Sequence, residues 1–159
     1  MFDALNIQNY DQYHVVREDL FEGGTKKRAL MAWLPTLNAT QFSYTGSVFG
    51  YGAYALALAC HELGYKSYIF IGQNTYEPKW AQHINDIAHV TWCAPSTLAQ
   101  LQTHAKASFP SAYFLEAGFP YTAFESALVD VFKTHTPSGK RVWTSAVSGT
   151  VARAMSIAW

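Results

Sequence analysis

The feature that most constrains the fold is a regular alternation of short β-type runs with longer helical runs from Gln41 onward. Five runs predict strands: Gln41–Tyr44, Ser67–Ile71, His89–Cys93, Ala112–Leu115 and Arg141–Ala146. Helices are predicted between and after these strands, over Gly50–Leu63, Pro78–Ile87, Ser96–Ser108, Tyr121–Thr134 and Thr150–Trp159. Strands and helices that alternate in this way are typical of a parallel sheet with helices on its faces. We therefore expect an α/β fold of three layers (α/β/α) with a mainly parallel sheet.

The alternation does not extend to the N-terminus, so the chain divides into two parts of different character. Residues 1–40 are rich in polar and aromatic side chains and predict an irregular N-terminal segment, whereas residues 41–159 predict an α/β domain. Half of the 159 residues are hydrophobic, which is enough to bury a substantial core. We expect the two parts to form a single compact unit.

Charge and cysteine usage exclude several classes of partner. Lysine plus arginine and aspartate plus glutamate balance at 11 each, so no net field favours nucleic acid or an anionic membrane. No apolar run is long enough to span a bilayer. Cys60 and Cys93 are isolated, and the six histidines form no metal-type pattern. These observations predict a cytoplasmic protein without a metal site, a nucleic-acid partner or a membrane partner.

Two strand-to-helix turns are rich in small residues, and both fall where ligands gather in open α/β sheets. The first covers residues 45–52, and the second covers residues 145–150. Glycine allows backbone N–H groups to approach an anion, the following helix adds positive potential, and Ser148 and Thr150 carry hydroxyl donors. The two turns could bind a phosphorylated cofactor from both sides. Ordinary tight turns would have the same composition.

Three consecutive cations follow a Gly-Gly pair near the N-terminus. Lys26, Lys27 and Arg28 open an apolar, helix-like run directly behind Gly23 and Gly24. A lysine that bonds covalently to a carbonyl cofactor must lie near the phosphate site of that cofactor. Lys26 and Lys27 are about 100° apart on a helix, so at most one of them can point there. The alternative is a solvated helix start.

Several of these segments together resemble the pyridoxal-phosphate (PLP) enzymes of the tryptophan synthase β type, also known as fold type II. The closest branch contains 1-aminocyclopropane-1-carboxylate deaminase and D-cysteine desulfhydrase. Residues 17–20 (REDL) and 23–29 (GGTKKRA) are similar to the Arg-x-Asp-Leu and Gly-Gly-Asn-Lys-x-Arg-Lys segments of that branch. Residues 47–64 resemble its Ser-Asn-His turn and Ala-rich helix, residues 147–150 its phosphate loop, and residues 115–128 its Pro-Glu-Gly-Gly stretch.

The resemblance implies a function and a set of site residues. Lys26 would carry PLP as a Schiff base and move a proton, and Ser47 would orient the substrate carboxylate or relay a proton. Ser148, Gly149 and Thr150 would bind the cofactor phosphate. The implied activity is that of a PLP-dependent lyase or deaminase that releases ammonia and a 2-oxo acid from a small amino acid. The sequence leaves open whether the chain forms a homodimer.

Two departures from the branch keep other functions open. Val48 stands where the branch has an asparagine that bonds the ring hydroxyl of the cofactor, and the partner of its pyridine nitrogen comes from a portion that would follow Trp159. An incomplete version of the fold could instead serve as a non-catalytic or phosphate-ester-binding module. A phosphoribosyl- or phosphosugar-transferring domain would also use a phosphate loop. Tyr44, Tyr51 and Tyr54 are candidates for lining the cleft.

Overall fold

The computed structural model describes residues 5–75, 78–135, 141–144 and 148–159. The strands are β1 (Ile7–Tyr10), β2 (Tyr13–Val16), β3 (Gln41–Gly46), β4 (Lys66–Gly72), β5 (His89–Cys93) and β6 (Tyr113–Leu115). The helices are α1 (Gly24–Trp33), α2 (Gly52–Glu62), α3 (Lys79–Ile84), α4 (Leu98–Ser108), α5 (Thr122–Lys133) and α6 (Thr150–Ala158). Short 3₁₀ turns cover Glu18–Leu20 and Leu34–Thr36.

Four parallel strands form the central sheet in the order β5-β4-β3-β6. On β3, Tyr44 lies opposite Ile69 of β4 and Leu115 of β6, so β3 and β4 form the buried middle of the sheet. Helices connect the successive strands, as parallel pairing requires. The predicted α/β fold with a mainly parallel sheet is therefore confirmed.

Helices cover both faces of this sheet because successive side chains of a strand point to opposite sides. Phe42 and Tyr44 belong to the larger core, on the face covered by α2, with α1 and α5 packed alongside. Phe70 of β4 points to the opposite face and packs with Leu101 and Ala105 of α4 in a smaller cluster. With one cluster on each face, the sheet lies between two layers of helices, and the fold has three layers.

The predicted last strand, Arg141–Ala146, is wrong for residues 141–144, which form neither strand nor helix. Ser145 and Ala146 lie outside the described residues. Val142 is 47% exposed and Trp143 is 83% exposed, so neither side chain packs against the sheet. The composition of this run predicted a strand. Among the described residues, however, no neighbouring strand pairs with it.

The N-terminal segment is more regular than the sequence suggested. An antiparallel hairpin joins β1 to β2, and α1 follows after one 3₁₀ turn. The hairpin escaped prediction because its strands are only four residues long and largely exposed, so they lack a buried face. Helix α1 packs against α2 and α5 and buries Leu30 and Trp33 in the main core.

Helix α6 is held against α5 and the residues that follow it by contacts of Arg153 and Trp159. Arg153 forms a two-bond ion pair with Glu125, with both N···O distances at 3.0 Å. The indole N–H of Trp159 donates to the carbonyl oxygens of Phe132 and His135, at 3.0 and 2.7 Å. Among the described residues, no helix is both long and apolar enough to cross a bilayer.

Candidate active site

Lys26 lies in the first turn of α1, directly after a sharp glycine turn. Gly23 and Gly24 have φ values of 83° and 61°, a region that side chains with a Cβ rarely adopt. A Cβ at Gly23 would also approach Lys27 Cδ to 2.7 Å. The Lys26 side chain is half-buried, and burial lowers the pKa of its amine below the ordinary value of 10.5. The amine therefore loses its proton more readily than a solvated lysine does.

The next two cations are buried and paired with carboxylates. Lys27 is buried and forms an ion pair with Glu62 at the end of α2. Arg28 is also buried, pairs with Glu18 at 3.0 Å, and lies over the ring of Phe21. Within the described part of the chain, no ion pair includes Lys26. The expectation that at most one of the two lysines faces a ligand site agrees with this arrangement.

The Lys27–Glu62 pair leads to a prediction about stability. We expect Glu62→Ala to lower the free energy of unfolding by about 1–2 kcal/mol, because it leaves a buried ammonium without its carboxylate. The cost is limited because the Glu62 side chain is 46% exposed. Adding Lys27→Met should recover most of the loss, since the methionine buries no charge. Urea unfolding of the wild type and the two variants checks this, and equal stability of the single and double variants would contradict it.

A cavity of about 680 Å³ lies next to Lys26, between the starts of three helices. The 3₁₀ turn, the glycine turn and the start of α1 supply one wall, α2 supplies another through Tyr51 and Tyr54, and α6 contributes Val151. The N–H groups in the first turn of a helix have no partner within the helix and carry partial positive charge. Three such ends around one lysine favour a small anionic ligand.

The negative groups at this cavity are mostly neutralised or bonded within the protein. Glu18 pairs with Arg28, and Asp19 pairs with Arg17 at 2.8 Å. Glu22 accepts a hydrogen bond from the Tyr54 hydroxyl at 3.2 Å. Burial and this carboxylate raise the pKa of Tyr54, so its phenol remains a proton donor. Two of these three acidic side chains are therefore paired with arginines, and the third is bonded to a neutral phenol.

Ser47 lies in the first small-residue turn, but it is not among the residues that line this cavity. Its side chain is exposed, and its hydroxyl oxygen accepts a hydrogen bond from the N–H of Phe49 at 3.2 Å. Val48 is buried in the main core at 4% exposure. Among the residues of this turn, Tyr51, which directly precedes α2, lines the cavity.

The glycines of the same turn make room for a buried tyrosine. The ring of Tyr44 extends from β3 across the turn and stacks on Phe119, with 5.1 Å between ring centroids. A Cβ at Gly46 would come within 2.7 Å of Tyr44 Cε1, and a Cβ at Gly52 would overlap the Tyr44 hydroxyl oxygen. Burial raises the pKa of Tyr44 to about 12, so this phenol stays neutral. Packing thus explains these two glycines without a ligand.

In the second turn, hydroxyl groups that could have bound an anion are bonded within the protein. Thr150 donates its hydroxyl proton to the carbonyl of Gly118 at 3.1 Å, and its oxygen lies 3.3 Å from that of Ser148. Because a hydroxyl has one proton, Ser148 is the donor in the second contact. Gly149 precedes α6 with a φ of 79°. Ser145, Ala146 and Val147 lie outside the described residues.

The cysteines and histidines that the structure describes form no second centre. Burial raises the pKa of Cys60 to about 12 and also raises the pKa of Cys93, so neither thiol ionises readily. Cys93 Sγ lies 3.6 Å from His104 Nδ1. Within the described residues, no three histidine, cysteine or acidic side chains are grouped as metal ligands.

Similarity to known proteins comes from structures and not from sequences. No protein-family model matches the chain, and no curated protein matches it in sequence. A solved structure described as an ACC deaminase homologue superposes with a TM-score of 0.78 over 98% of this chain, at 15% identity. The chain has the fold of that homologue. The fold expected from the resemblance to fold type II PLP enzymes is thereby confirmed.

Two further structures share the fold. A threonine deaminase from T.th. superposes with a TM-score of 0.57 over 74% of the chain, at 21% identity. An L-serine ammonia-lyase from Rhizomucor miehei superposes with a TM-score of 0.65 over 83% of the chain, at 12% identity. The chain spans 56% of the ACC deaminase homologue, 38% of the threonine deaminase and 45% of the ammonia-lyase.

Proposed function

We propose that this chain binds pyridoxal 5′-phosphate and acts as a lyase or deaminase on a small amino acid, with Lys26 as the residue that bonds the cofactor. The observation that carries this proposal is a half-buried lysine with a lowered pKa at a cavity where three helices begin. The fold shared with a threonine deaminase and an ACC deaminase homologue supports it.

The residues at the cavity fit the two reactive ends of this cofactor. An aldehyde requires an amine that is free of acidic partners, and Lys26 meets that requirement among the described residues. A phosphate requires N–H donors, and of the residues at the start of α6 Val151 lines the cavity, whereas Ser148, Gly149 and Thr150 do not. The cavity volume lies within the range of about 300–1,000 Å³ typical of small-molecule sites.

The ring of the cofactor would be bound differently from the way it is bound in the branch that the sequence resembles. Val48 is buried and apolar, so it offers no hydrogen bond at the position of the asparagine. Tyr51 lines the cavity and carries a phenol on an exposed side chain. We assign the polar contact with the ring to Tyr51. Tyr51→Phe is the variant that addresses this assignment.

The chemistry of the protein groups follows from their protonation states. Pyridoxal phosphate supplies an electron sink that stabilises a carbanion next to the substrate amine. Lys26 would hold the cofactor through its amine, and the lowered pKa of that amine would ease its release and uptake of a proton. Ser148 and Gly149, which precede α6 and do not line the cavity, would hold the phosphate, and the Thr150 hydroxyl donates to the carbonyl of Gly118. Ser47 is proposed to orient the substrate carboxylate or to relay a proton.

Covalent trapping tests the proposed function. The purified chain is incubated with pyridoxal phosphate, reduced with borohydride, digested and analysed by mass spectrometry. We expect one pyridoxyl-phosphate group on the peptide that contains Lys26, and fragmentation places it on Lys26 and not on Lys27. Ammonia and 2-oxo acid release from a panel of small amino acids then reports the reaction. Absence of a reduced adduct would overturn the cofactor assignment.

A non-catalytic phosphate-ester-binding module is the second candidate. The buried, apolar Val48 favours it, because a binding module does not need the ring of a cofactor in a fixed orientation. Calorimetry with pyridoxal phosphate and with a phosphosugar distinguishes the two candidates. Similar affinities for both ligands, without an adduct on Lys26, would support the binding module over the enzyme.

A further inference from the structure

We propose that Glu22 and Tyr54 form a subsite for a cationic group on the substrate side chain, so that the preferred amino acid carries a second ammonium group. This inference rests on the proposed function and names the class of amino acid that the site takes. Both residues line the same cavity as Lys26. The charges along the cavity wall and the contacts that hold Glu22 and Tyr54 carry the argument.

Glu22 differs from the other acidic residues of the cavity wall in its partner. Three of the described residues that line the cavity are acidic, and two of them, Glu18 and Asp19, each form an ion pair with an arginine. Within the described part of the chain, Glu22 belongs to no ion pair, and its carboxylate accepts from the neutral phenol of Tyr54. Such a carboxylate keeps its negative charge and has lone pairs left for an ammonium donor.

The contact with Tyr54 gives this carboxylate a defined place at the cavity. Glu22 is exposed and lies 32 residues before Tyr54 in the chain, yet the hydroxyl of Tyr54 is 3.2 Å from its Oε1. The Tyr54 ring is in turn flanked by Tyr51 and Trp80, with ring centroids 6.3 and 6.4 Å away. The charge is thus held in position before a ligand arrives, which lowers the entropy cost of binding.

The ring of Tyr54 adds a second attraction for a cation. Aromatic faces attract ammonium groups, and a ring beside a carboxylate combines this attraction with a charge-assisted hydrogen bond. Phe21 also lines the cavity, but the Arg28 guanidinium already lies 3.8 Å from the centroid of its ring. Tyr51 is assigned above to the polar contact with the cofactor ring. The cation site is therefore placed at Tyr54 and Glu22.

Other kinds of side chain would fit this part of the wall less well. An acidic side chain would be repelled by the carboxylate of Glu22. An apolar one would displace water from that carboxylate without offering it a donor, which costs free energy. Selection for a cation thus comes from both attraction and exclusion.

Two matched pairs of ligands test the subsite in the wild-type chain. Ornithine and norleucine differ only in a terminal ammonium in place of a methyl group, and 2,4-diaminobutyrate and norvaline form the corresponding shorter pair. Calorimetry is performed with the racemates on the cofactor-free chain, where none of the ligands can react. We expect the cationic member of at least one pair to bind with a Kd about tenfold lower, the effect of one hydrogen bond between charged groups.

Glu22→Gln removes the charge and keeps an oxygen that can accept from Tyr54. We expect the two members of each pair to bind this variant equally, while the Kd of the apolar member and the trapping of pyridoxal phosphate on Lys26 stay at wild-type values. Asp130→Asn is the matched control, since it removes one negative charge from an exposed position of α5 that does not line the cavity. It should keep the wild-type preference.

The outcomes separate this inference from the proposed function. Trapping on Lys26 with equal Kd values within both pairs would overturn the cation subsite and leave the function intact. A preference that survives in Glu22→Gln, or that disappears equally in Asp130→Asn, would also overturn the subsite, because the charge of Glu22 would then not be its source. A preference that depends on Glu22 in a chain that gives no adduct would overturn the function alone.

Discussion

Replacing Lys26 with methionine will abolish borohydride trapping of pyridoxal phosphate and will at the same time stabilise the folded chain at neutral pH. Methionine retains the length and apolar stem of lysine but has no amine to bond an aldehyde. The neighbouring replacement, Lys27→Met, should retain trapping, because the Lys27 ammonium is buried, is paired with Glu62 and does not line the cavity. The two variants therefore form a matched pair.

The gain in stability follows from the direction of the pKa shift of Lys26. Burial lowers the pKa of this amine in the folded chain, whereas in the unfolded chain it titrates at its ordinary value of 10.5. Below the lowered pKa, both states carry the charge, and the folded state carries it in a half-buried position. The charge therefore costs folding free energy at pH 7, and Lys26→Met removes that cost.

The same shift predicts how the difference between wild type and variant changes with pH. Between the lowered pKa and 10.5, the unfolded wild type binds more protons than the folded wild type, so wild-type stability rises with pH in that window. The advantage of Lys26→Met should accordingly shrink as the pH approaches 10.5. Urea unfolding at several pH values measures the difference between the two proteins.

Results that would contradict this prediction are equally specific. Trapping that persists in Lys26→Met, or that disappears in Lys27→Met, would mean that Lys26 is not the reactive amine. A pH-independent difference in unfolding free energy would mean that the Lys26 amine titrates alike in the folded and unfolded chains.

The layered sheet could be predicted because its signals are local. Strand β5 matches its predicted range, His89–Cys93, and the glycine after α2 marks the end of that helix, since Gly64 has a φ of 69°. The strand predicted over residues 141–144 is wrong because strand formation depends on a neighbouring strand. The composition of a run of apolar residues does not report whether such a neighbour exists.

The candidate site could be predicted in part for the same reason. Gly23 and Gly24 create a turn that needs positive φ at both positions, and this turn places Lys26 at the start of α1, all within a few residues. The bond from the Thr150 hydroxyl to the carbonyl of Gly118 joins residues 32 positions apart and could not be predicted from the sequence. Sequence alone likewise could not distinguish a glycine that approaches an anion from one that accommodates a tyrosine.

Gly52 provides the clearest test that a glycine of this turn accommodates the ring of Tyr44. Alanine in place of glycine within a helix normally stabilises a protein by up to about 1 kcal/mol. At Gly52 we expect the opposite, a loss of about 2–3 kcal/mol, because the new Cβ would overlap the Tyr44 hydroxyl oxygen and also lie 3.0 Å from its Cζ. The buried ring has no room to move away, since Phe119 stacks on it.

Gly50 is the matched control, two residues earlier in the same turn. A Cβ there would approach nothing closer than the carbonyl oxygen of Ser47 at 3.7 Å, so Gly50→Ala should leave the free energy of unfolding unchanged or slightly higher. Adding Tyr44→Phe to Gly52→Ala should recover part of the loss, because the overlapping oxygen is removed while Cζ still lies close. Chemical denaturation of the four proteins measures these differences. If Gly52→Ala proved as stable as Gly50→Ala, the Tyr44 ring would not fill the turn, and the glycines of residues 45–52 would again need a ligand to explain them.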